Sequence, residues 1–324
     1  MLTRRHLLAT SLAIPFVRPS RADAPSALRA AGAQFEQLHS LLVSKNGETV
    51  FAEAFRGPGL DRPANIKSCS KSIVALLLGA AIARNEVTGL DATLGDVAPA
   101  LIPATADPAV RRITLGDLAS LRAGLEPTSG PNYGAWVSAP NWTAYALSRP
   151  LVATPGGRML YSTGSTHVLG AALTVATGKS LLTQARERLG RPLGIDIPAW
   201  TRDPQGYYLG GNEMALAPTA MLRLAQVLCD GGRFDGDQVI PLNWLRQSTQ
   251  PLTRSPYSGL DYGYGWFLSL SGFAIARGYG GQVIAFHPAR QLAVAITSDP
   301  TRPARSEGYF GDLADLLDTA ILSL

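Results

Sequence analysis

Residues 68–82, SCSKSIVALLLGAAI, give the strongest indication of both the fold and the chemistry of this chain. After Lys71 it is apolar around nearly its whole circumference, which predicts a helix buried in the core. A spacing of three residues places Ser68 and Lys71 on one helix face, within side-chain reach. A lysine in an apolar setting loses the hydration of its charge, which lowers its pKa and lets it accept a proton. The unpaired N–H groups at the helix start also suit a developing oxyanion.

The Ser-x-x-Lys spacing alone is a weak signal, since such short motifs arise by chance. The chain has only four lysines, which are Lys45, Lys67, Lys71 and Lys179. The alternative interpretation is an N-cap serine followed by a lysine that faces solvent. The position of the motif at the head of an apolar helix favours an activated serine.

A second candidate segment is Leu160-Tyr161-Ser162-Thr163-Gly164, between a Pro-Gly-Gly turn and a helical pattern that starts at His167. A loop in this position can aim the Tyr161 hydroxyl into a cleft. There it could exchange a proton with a serine or a leaving group if a nearby cation lowers its pKa. The alternative is a tyrosine that covers the edge of the core.

The third candidate segment is ARGYGGQ, residues 276–282, between two strand-like runs. Glycines in a strand allow the backbone to approach a ligand closely. We expect an edge strand that forms the far wall of a site, with backbone N–H groups of Gly280, Gly281 and Gln282 holding an oxyanion. A β-bulge or a tight turn is the alternative.

The order of sequence patterns predicts an α+β (mixed α/β) fold. Strand-like runs cluster at both ends of the chain, whereas residues 68–232 carry helical patterns and long loops. Lys45-Asn46-Gly47 joins two of the runs and is a hairpin signal. We expect an antiparallel β-sheet built from both chain ends and flanked by helices, with a helical subdomain inserted at roughly residues 75–230. A cleft where the two parts meet is a common place for a site.

Residues 1–24 predict a signal peptide of the twin-arginine type. Arg4 and Arg5 precede an apolar run from Leu7 to Val17 that is too short to span a bilayer. A general secretion signal with an arginine pair is the alternative. We therefore expect residues 25–324 to form a periplasmic or secreted hydrolase domain. The chain carries a net charge of +5, of which residues 1–24 account for +3, so no strongly basic surface remains for nucleic acid or a membrane.

The sequence lacks the motif spacing of several other kinds of functional site. Gly178-Lys179-Ser180 lacks the first glycine of a phosphate-binding loop, because Leu173 stands there. No Gly-x-Ser-x-Gly elbow of an α/β-hydrolase occurs. The histidines beyond the signal have no metal-ligand spacing, and nothing favours a Ser-His-Asp triad. The two cysteines, Cys69 and Cys229, do not make a disulfide framework, and a buried free thiol is expected at Cys69.

The three segments, in this order, resemble the serine β-lactamase and penicillin-binding-protein superfamily. The class C-like branch is most similar, with its β-lactamases, DD-peptidases, esterases and 6-aminohexanoate-dimer hydrolases. The resemblance covers nearly all of the mature chain. Further landmarks of that branch are Gly89–Leu94, Ile113–Leu118, Ala123–Leu125, Pro192–Gly194, Gly210-Gly211, Leu222–Gly232 and Tyr264–Trp266.

The resemblance implies that Ser68 is the nucleophile, Lys71 its base partner and Tyr161 the proton shuttle. Thr163 stands where the second motif usually has asparagine. The third motif usually begins with a cation, but neither possible register, residues 278–280 or 279–281, supplies one. In antibiotic-binding members that cation helps to recognise the substrate carboxylate. The possible substrate contacts are Thr163, Tyr133, Trp136 and Tyr279, with Asn212 and Glu213 as further residues that could face the cleft.

These features predict an exported serine hydrolase that cleaves a small-molecule or peptide-like ester or amide through an acyl-enzyme. A true β-lactamase or DD-peptidase is one alternative. A non-catalytic relative that binds a peptide or cell-wall fragment is another. No metal or organic cofactor is implied, and no nucleic-acid partner or stable membrane insertion is expected.

Overall fold

The structure is a computed structural model that describes residues 24–324. The predicted signal peptide lies almost entirely outside the described residues, so it stays a prediction. Within the described part, no helix has the length and apolar character needed to cross a membrane.

The described chain contains twelve strands and twelve α-helices. The strands are β1 (Leu38–Lys45), β2 (Glu48–Ala54), β3 (Ala64–Asn65), β4 (Ala215–Leu216), β5 (Arg233–Phe234), β6 (Asp237–Gln238), β7 (Thr253–Arg254), β8 (Asp261–Tyr262), β9 (Phe267–Leu268), β10 (Ala274–Gly278), β11 (Gln282–His287) and β12 (Leu292–Ser298). The helices are α1 (Ala24–Gln34), α2 (Ser70–Ala83), α3 (Leu94–Val97), α4 (Leu115–Ala119), α5 (Tyr133–Val137), α6 (Trp142–Leu147), α7 (Thr163–Thr177), α8 (Leu181–Ala185), α9 (Arg191–Leu193), α10 (Pro218–Cys229), α11 (Leu242–Ser248) and α12 (Tyr309–Leu316).

Eight strands form one antiparallel sheet in the order β2-β1-β12-β11-β10-β9-β8-β7. Strands from the two ends of the chain meet at the pairing of β1 with β12, where Leu42 lies opposite Ala295. The β1–β2 connection carries Asn46 and Gly47 at φ +52° and +80°, the left-handed pair that a tight hairpin needs. The predicted antiparallel sheet flanked by helices, and with it the fold class, is confirmed.

Both faces of the sheet are covered, which explains why β11 and β12 are buried along their whole length. Alternate side chains enter different cores. Ile284 and Phe286 pack toward α2 and α10, whereas Val283 and Ala285 pack toward α1 and α12. Because side chains on both faces of these strands are buried, the inner part of each strand is continuously apolar and does not alternate between apolar and polar residues.

Helix α2 is the central element of the larger core. Its residues from Ser70 to Ala81 are all buried, as the apolar sequence predicts. It contacts α7, α8 and α11 and also reaches strand β10. Strand β9 is short, Phe267–Leu268, and Gly265 just before it adopts φ +85° where the chain lies against Ala75 of α2.

Candidate active site

Ser68 lies in a single 3₁₀ turn, Lys67–Cys69, directly before helix α2. The turn is entered through Lys67 at φ +50°, a left-handed conformation that costs energy in a residue with a side chain. The Lys67 N–H donates to Asn65 Oδ1 at 2.9 Å, which holds this conformation. The turn therefore presents Ser68 to a cavity and leaves Lys71 one turn further along the same face.

Lys71 is buried beside Ser68. Its Nζ lies 3.1 Å from Ser68 Oγ, 3.2 Å from Thr163 Oγ1 and 2.7 Å from the Gly211 carbonyl oxygen. Burial lowers the pKa of Lys71 to about 7, and within residues 24–324 no carboxylate pairs with it to oppose this effect. When Lys71 is neutral, its two N–H groups can serve Thr163 and Gly211 while its lone pair accepts the Ser68 proton.

Tyr161 is the third member of this group. Its hydroxyl is close enough to Ser68 for the serine to act on its pKa, and Lys71 Nζ lies 4.9 Å from the centre of its ring. Burial raises the pKa of Tyr161, and this exceeds the opposing effects of Ser68 and of the Arg277 charge. The pKa of Tyr161 is thus raised and not lowered, and a Tyr161 that stays protonated is suited to act as a proton donor.

Thr163 is held in the site by a second hydroxyl, which sequence reasoning missed. Ser129 Oγ accepts from the Thr163 N–H at 2.8 Å and lies 3.0 Å from Thr163 Oγ1. Thr163 therefore provides Lys71 with a hydrogen-bond partner through its hydroxyl group, in place of the amide group that asparagine would provide. Since Ser129 sits in a loop 34 residues earlier, no local sequence signal connects it with Thr163.

Gly278 and Tyr279 are the residues of the third segment that lie beside the nucleophile turn. Gly278, at the end of β10, lies so close to the nucleophile turn that a Cβ atom there would be 2.4 Å from the Ile66 carbonyl oxygen. Tyr279 follows, half-exposed, and both residues border the same cavity as Ser68. Within residues 24–324 the Tyr279 N–H forms no backbone hydrogen bond, so it is free to meet an oxyanion.

The structure does not bring Gly280, Gly281 and Gln282 to Ser68, so their expected role as the oxyanion wall is corrected. The two glycines turn the chain at φ +82° and +93° and face Asp299 and Tyr309. Gln282 is fully buried and bonds to the Ser298 backbone through both ends of its amide. The glycines make the turn that returns the chain from β10 to β11, which sequence reasoning held as the alternative.

The cavity beside Ser68 has a volume of about 550 Å³. Thr163, Tyr133 and Tyr279 border it, as predicted, and so do Asn212 and Glu213. Asn212 Nδ2 donates to the Tyr133 hydroxyl at 3.0 Å, which ties the two sides of the cavity mouth together.

Trp136 is a wrong prediction as a substrate contact. It is fully buried, its Nε1 donates to the Trp142 carbonyl oxygen, and its ring packs against His167. Tyr133 lies one helical turn earlier on the same face of α5 and contacts the Trp136 ring edge-on, with 5.7 Å between the ring centroids, yet of the two only Tyr133 borders the cavity. His167 is bound to Asp203 at 3.0 Å inside this same core and does not border the cavity, which gives no support to a Ser-His-Asp triad.

Two further expectations concern cysteines and metals. Cys69 and Cys229 are both free and buried, as expected for Cys69. Across residues 24–324 no cluster of three or more His, Cys, Asp or Glu side chains is placed to hold a metal ion.

We predict that Gly278→Ala disrupts the site. The added methyl group would press on Ile66 and on the Gln282 side chain, at 2.4 and 2.9 Å, and would push β10 away from Ser68. We expect a loss of about 1–3 kcal/mol in the free energy of unfolding, measured by urea denaturation, together with a loss of hydrolytic activity. Gly134→Ala is the matched control, because nothing lies within 4 Å of its added methyl group. Equal effects of the two substitutions would contradict the close approach of β10 to the turn.

The family model described as Beta-lactamase matches residues 29–316. No curated protein sequence matches the chain.

Several solved structures resemble this chain at low sequence identity, and the resemblance is evidence for the fold alone. EstCE1, a hydrolase with promiscuous acyltransferase activity, superposes with a TM-score of 0.76 at 18% identity, covering 94% of this chain and 99% of its own. A candidate 6-aminohexanoate-dimer hydrolase from Bacillus anthracis superposes with a TM-score of 0.74 at 19% identity, covering 86% of this chain and 79% of its own. A penicillin-binding protein homologue from Caulobacter crescentus superposes with a TM-score of 0.71 at 17% identity, covering 88% of this chain and 93% of its own.

Proposed function

Because this chain belongs to the beta-lactamase family, we propose that it is a serine hydrolase that cleaves an ester or amide bond through an acyl-enzyme on Ser68. One observation carries the proposal: a buried lysine amine, unpaired with any carboxylate of residues 24–324, lies 3.1 Å from the Ser68 hydroxyl. This is the arrangement that an activated nucleophile requires.

The reaction begins with neutral Lys71. Ser68 Oγ attacks the substrate carbonyl carbon while its proton passes to Lys71 Nζ. The negative oxygen of the tetrahedral intermediate is stabilised by the backbone N–H groups of Ser68 and Tyr279. Tyr161 donates its proton to the leaving group as that bond breaks and recovers a proton from Lys71. The product of this half-reaction is a Ser68 ester of the acyl group.

Deacylation follows the same path in reverse with water as the nucleophile. Tyr161 takes the proton of the attacking water as it passes its own proton to neutral Lys71, the bond from the carbonyl carbon to Ser68 Oγ breaks, and Lys71 returns a proton to Ser68 Oγ. The high pKa of Tyr161 suits it to give a proton and to take one back, and not to remain ionised.

The substrate class that we favour is a simple ester or amide and not a β-lactam. Ala276, Gly278 and Tyr279 leave the third motif without a cation on the side that meets the nucleophile turn. The likeness in fold to EstCE1 and to the candidate 6-aminohexanoate-dimer hydrolase is consistent with this preference. Turnover of p-nitrophenyl butyrate with slow turnover of nitrocefin is the expected result, and rapid nitrocefin hydrolysis would favour the β-lactamase alternative.

Labelling with a fluorophosphonate tests the mechanism directly. The expected outcome is one adduct per chain, located on Ser68 by peptide mass spectrometry. An intact, folded protein that acquires no adduct on Ser68 would favour the non-catalytic binding alternative.

We also predict the pH dependence. Because Lys71 must be neutral to accept the Ser68 proton, kcat/KM for p-nitrophenyl butyrate should rise with pH and level off above an apparent pKa of about 7. Burial raises the pKa of Tyr161 above its usual 10.0, so activity should not fall between pH 8 and 9. A stopped-flow or plate-reader pH series, corrected for spontaneous hydrolysis, measures both the rise around pH 7 and the plateau at pH 8–9. A loss of activity between pH 8 and 9 would contradict the assignment of Tyr161 as a protonated donor.

A further inference from the structure

Glu213 joins the two chain segments that meet beside Ser68, and the proposed mechanism gives it no role. Its Oε1 accepts from Lys67 Nζ at 3.0 Å, and its Oε2 accepts from Asn65 Nδ2 at 2.6 Å. The other end of the same amide, Asn65 Oδ1, accepts from the Lys67 N–H at 2.9 Å. One carboxylate therefore holds Lys67 by its side chain and, through Asn65, by its backbone.

Lys67 and Glu213 both have a left-handed backbone, with φ +50° and +66°. Residues with long side chains rarely adopt this conformation, because it crowds the Cβ atom against the backbone, whereas glycine adopts it without that cost. The ion pair between the two residues is partly shielded from water, with 20% and 29% of their side chains exposed. The contact between the two side chains thus stabilises a backbone conformation that neither residue favours alone.

The conformation of Lys67 sets the direction of the peptide group between Lys67 and Ser68. A trans peptide group is planar, so its N–H and its C=O point in opposite directions. The Lys67 carbonyl oxygen accepts from Ser70 Oγ at 2.6 Å, which holds that side of the plane against the start of α2. The Ser68 N–H, one of the two donors proposed for the oxyanion, leaves the plane on the other side. A change of conformation at Lys67 would therefore swing this donor and the Ser68 side chain together.

The segment that contains Glu213 also provides a partner of the catalytic base. Gly211, two residues earlier, has its carbonyl oxygen 2.7 Å from Lys71 Nζ. The Ile66 N–H donates to the Met214 carbonyl oxygen at 2.9 Å, which fixes the segment to the nucleophile turn. The nucleophile and its base are thus held by the two segments that Glu213 connects.

We propose that Glu213 is a positioning residue that keeps Lys67 left-handed and thereby aims the Ser68 N–H and hydroxyl, an inference that rests on the proposed hydrolase function. Glu213 acts through Lys67 and not on the substrate. Without the carboxylate, Lys67 would relax toward the right-handed region and Ser68 would lose its alignment. A glycine at position 67 would keep the left-handed conformation without help, so Glu213 would then be dispensable.

A double-mutant cycle, read out by fluorophosphonate labelling of Ser68, tests this dependence. Glu213→Ala should lower the second-order rate constant of labelling about tenfold, which corresponds to the cost of one left-handed residue that is not glycine. In a Lys67→Gly background the same substitution should change the rate constant by less than about twofold. Glu213→Gln, which keeps a carbonyl oxygen as an acceptor, should lose less than Glu213→Ala. Glu187→Ala is the matched control, because it breaks the exposed Lys179–Glu187 ion pair, at 2.6 Å, away from the cavity.

Two labelling results would overturn the inference. An equal loss in the lysine and glycine backgrounds would mean that Glu213 acts directly on the ligand. An unchanged rate constant in Glu213→Ala would mean that the turn keeps its conformation unaided.

Crystal structures of the same variants separate the inference from the proposed function. In Glu213→Ala, residue 67 should leave the left-handed region and Ser68 Oγ should lie farther from Lys71 Nζ than the present 3.1 Å, and Lys67→Gly should restore both. If the structures show this while even the wild-type protein is not labelled, the positioning role stands and the hydrolase proposal fails. A Lys67 that keeps its φ in Glu213→Ala would overturn the positioning role, whatever the labelling shows. Glu213→Gln provides the same comparison if the alanine variant does not fold.

Discussion

Replacing Ser68 by alanine is expected to lower kcat for p-nitrophenyl butyrate by about 10⁴-fold or more. The substitution removes the only atom that forms the acyl-enzyme, and removal of a nucleophile from a comparable serine enzyme costs about 10⁶-fold in kcat. The fold should persist, because the Ser68 side chain lies at the cavity surface and Lys71 keeps its contacts with Thr163 and Gly211. Initial rates at saturating substrate, with circular dichroism as the check on folding, give the result.

Ser72→Ala is the matched control for this substitution. Ser72 lies one turn further along α2 and donates to the Gly265 carbonyl oxygen at 2.5 Å, away from the cavity. Its loss should reduce stability by about 1–2 kcal/mol while activity stays within a few-fold of wild type. A Ser68→Ala protein that keeps more than a tenth of the wild-type kcat would exclude Ser68 as the nucleophile.

Lys71→Met is expected to abolish activity and at the same time to stabilise the protein. Loss of the general base should lower kcat by about 10³-fold or more, because the base and the nucleophile act together and removing either one removes most of their joint effect. Keeping a lysine buried costs free energy, because the folded protein holds its pKa at about 7 whereas the unfolded chain has the ordinary value of 10.5. Methionine fills a similar volume without that cost.

The stability difference should depend on pH in a defined direction. Between pH 7 and 10.5 the unfolded chain holds a proton on Lys71 that the folded protein has released, so the unfolding free energy of the wild-type protein rises with pH across this window. The destabilising contribution is largest below pH 7, where it is of the order of 4–5 kcal/mol before the three Lys71 hydrogen bonds offset part of it. Urea denaturation at pH 6 and pH 9 measures this. A Lys71→Met protein less stable than wild type at pH 6 would contradict a buried, costly Lys71.

Much of the fold could be predicted because its signals are local. Helix α2, Ser70–Ala83, coincides with the apolar run that follows the Ser-x-x-Lys motif in the sequence. The four longest strands also follow from short apolar runs between turn residues. In these segments the same residues that set the local conformation also fill the core, so propensity and packing agree.

The candidate site was harder to predict, because its parts meet only through tertiary contacts. Ser68 and Lys71 are fixed by one helical turn, but Ser129 reaches Thr163 from a distant loop. The third motif depended on which of several adjacent glycines approaches Ile66, and sequence cannot distinguish glycines that differ only in what they face. Trp136 and Tyr133 share one short helix and contact each other, and only the packing of Trp136 against Trp142 and His167 decides which of the two rings borders the cavity.

The pairing of β1 with β12 has a consequence for how the protein is made. During synthesis, β1 leaves the ribosome about 250 residues before its partner β12, and β10, which carries the cavity wall beside Ser68, also comes late in the chain. Contacts between segments so far apart form slowly, because a long loop must close first. The nucleophile turn therefore exists well before the strand that completes its site. A nascent chain that stops before β10 would carry Ser68 but not the strand that borders its cavity. Hydrolytic activity should therefore appear only when synthesis is nearly finished.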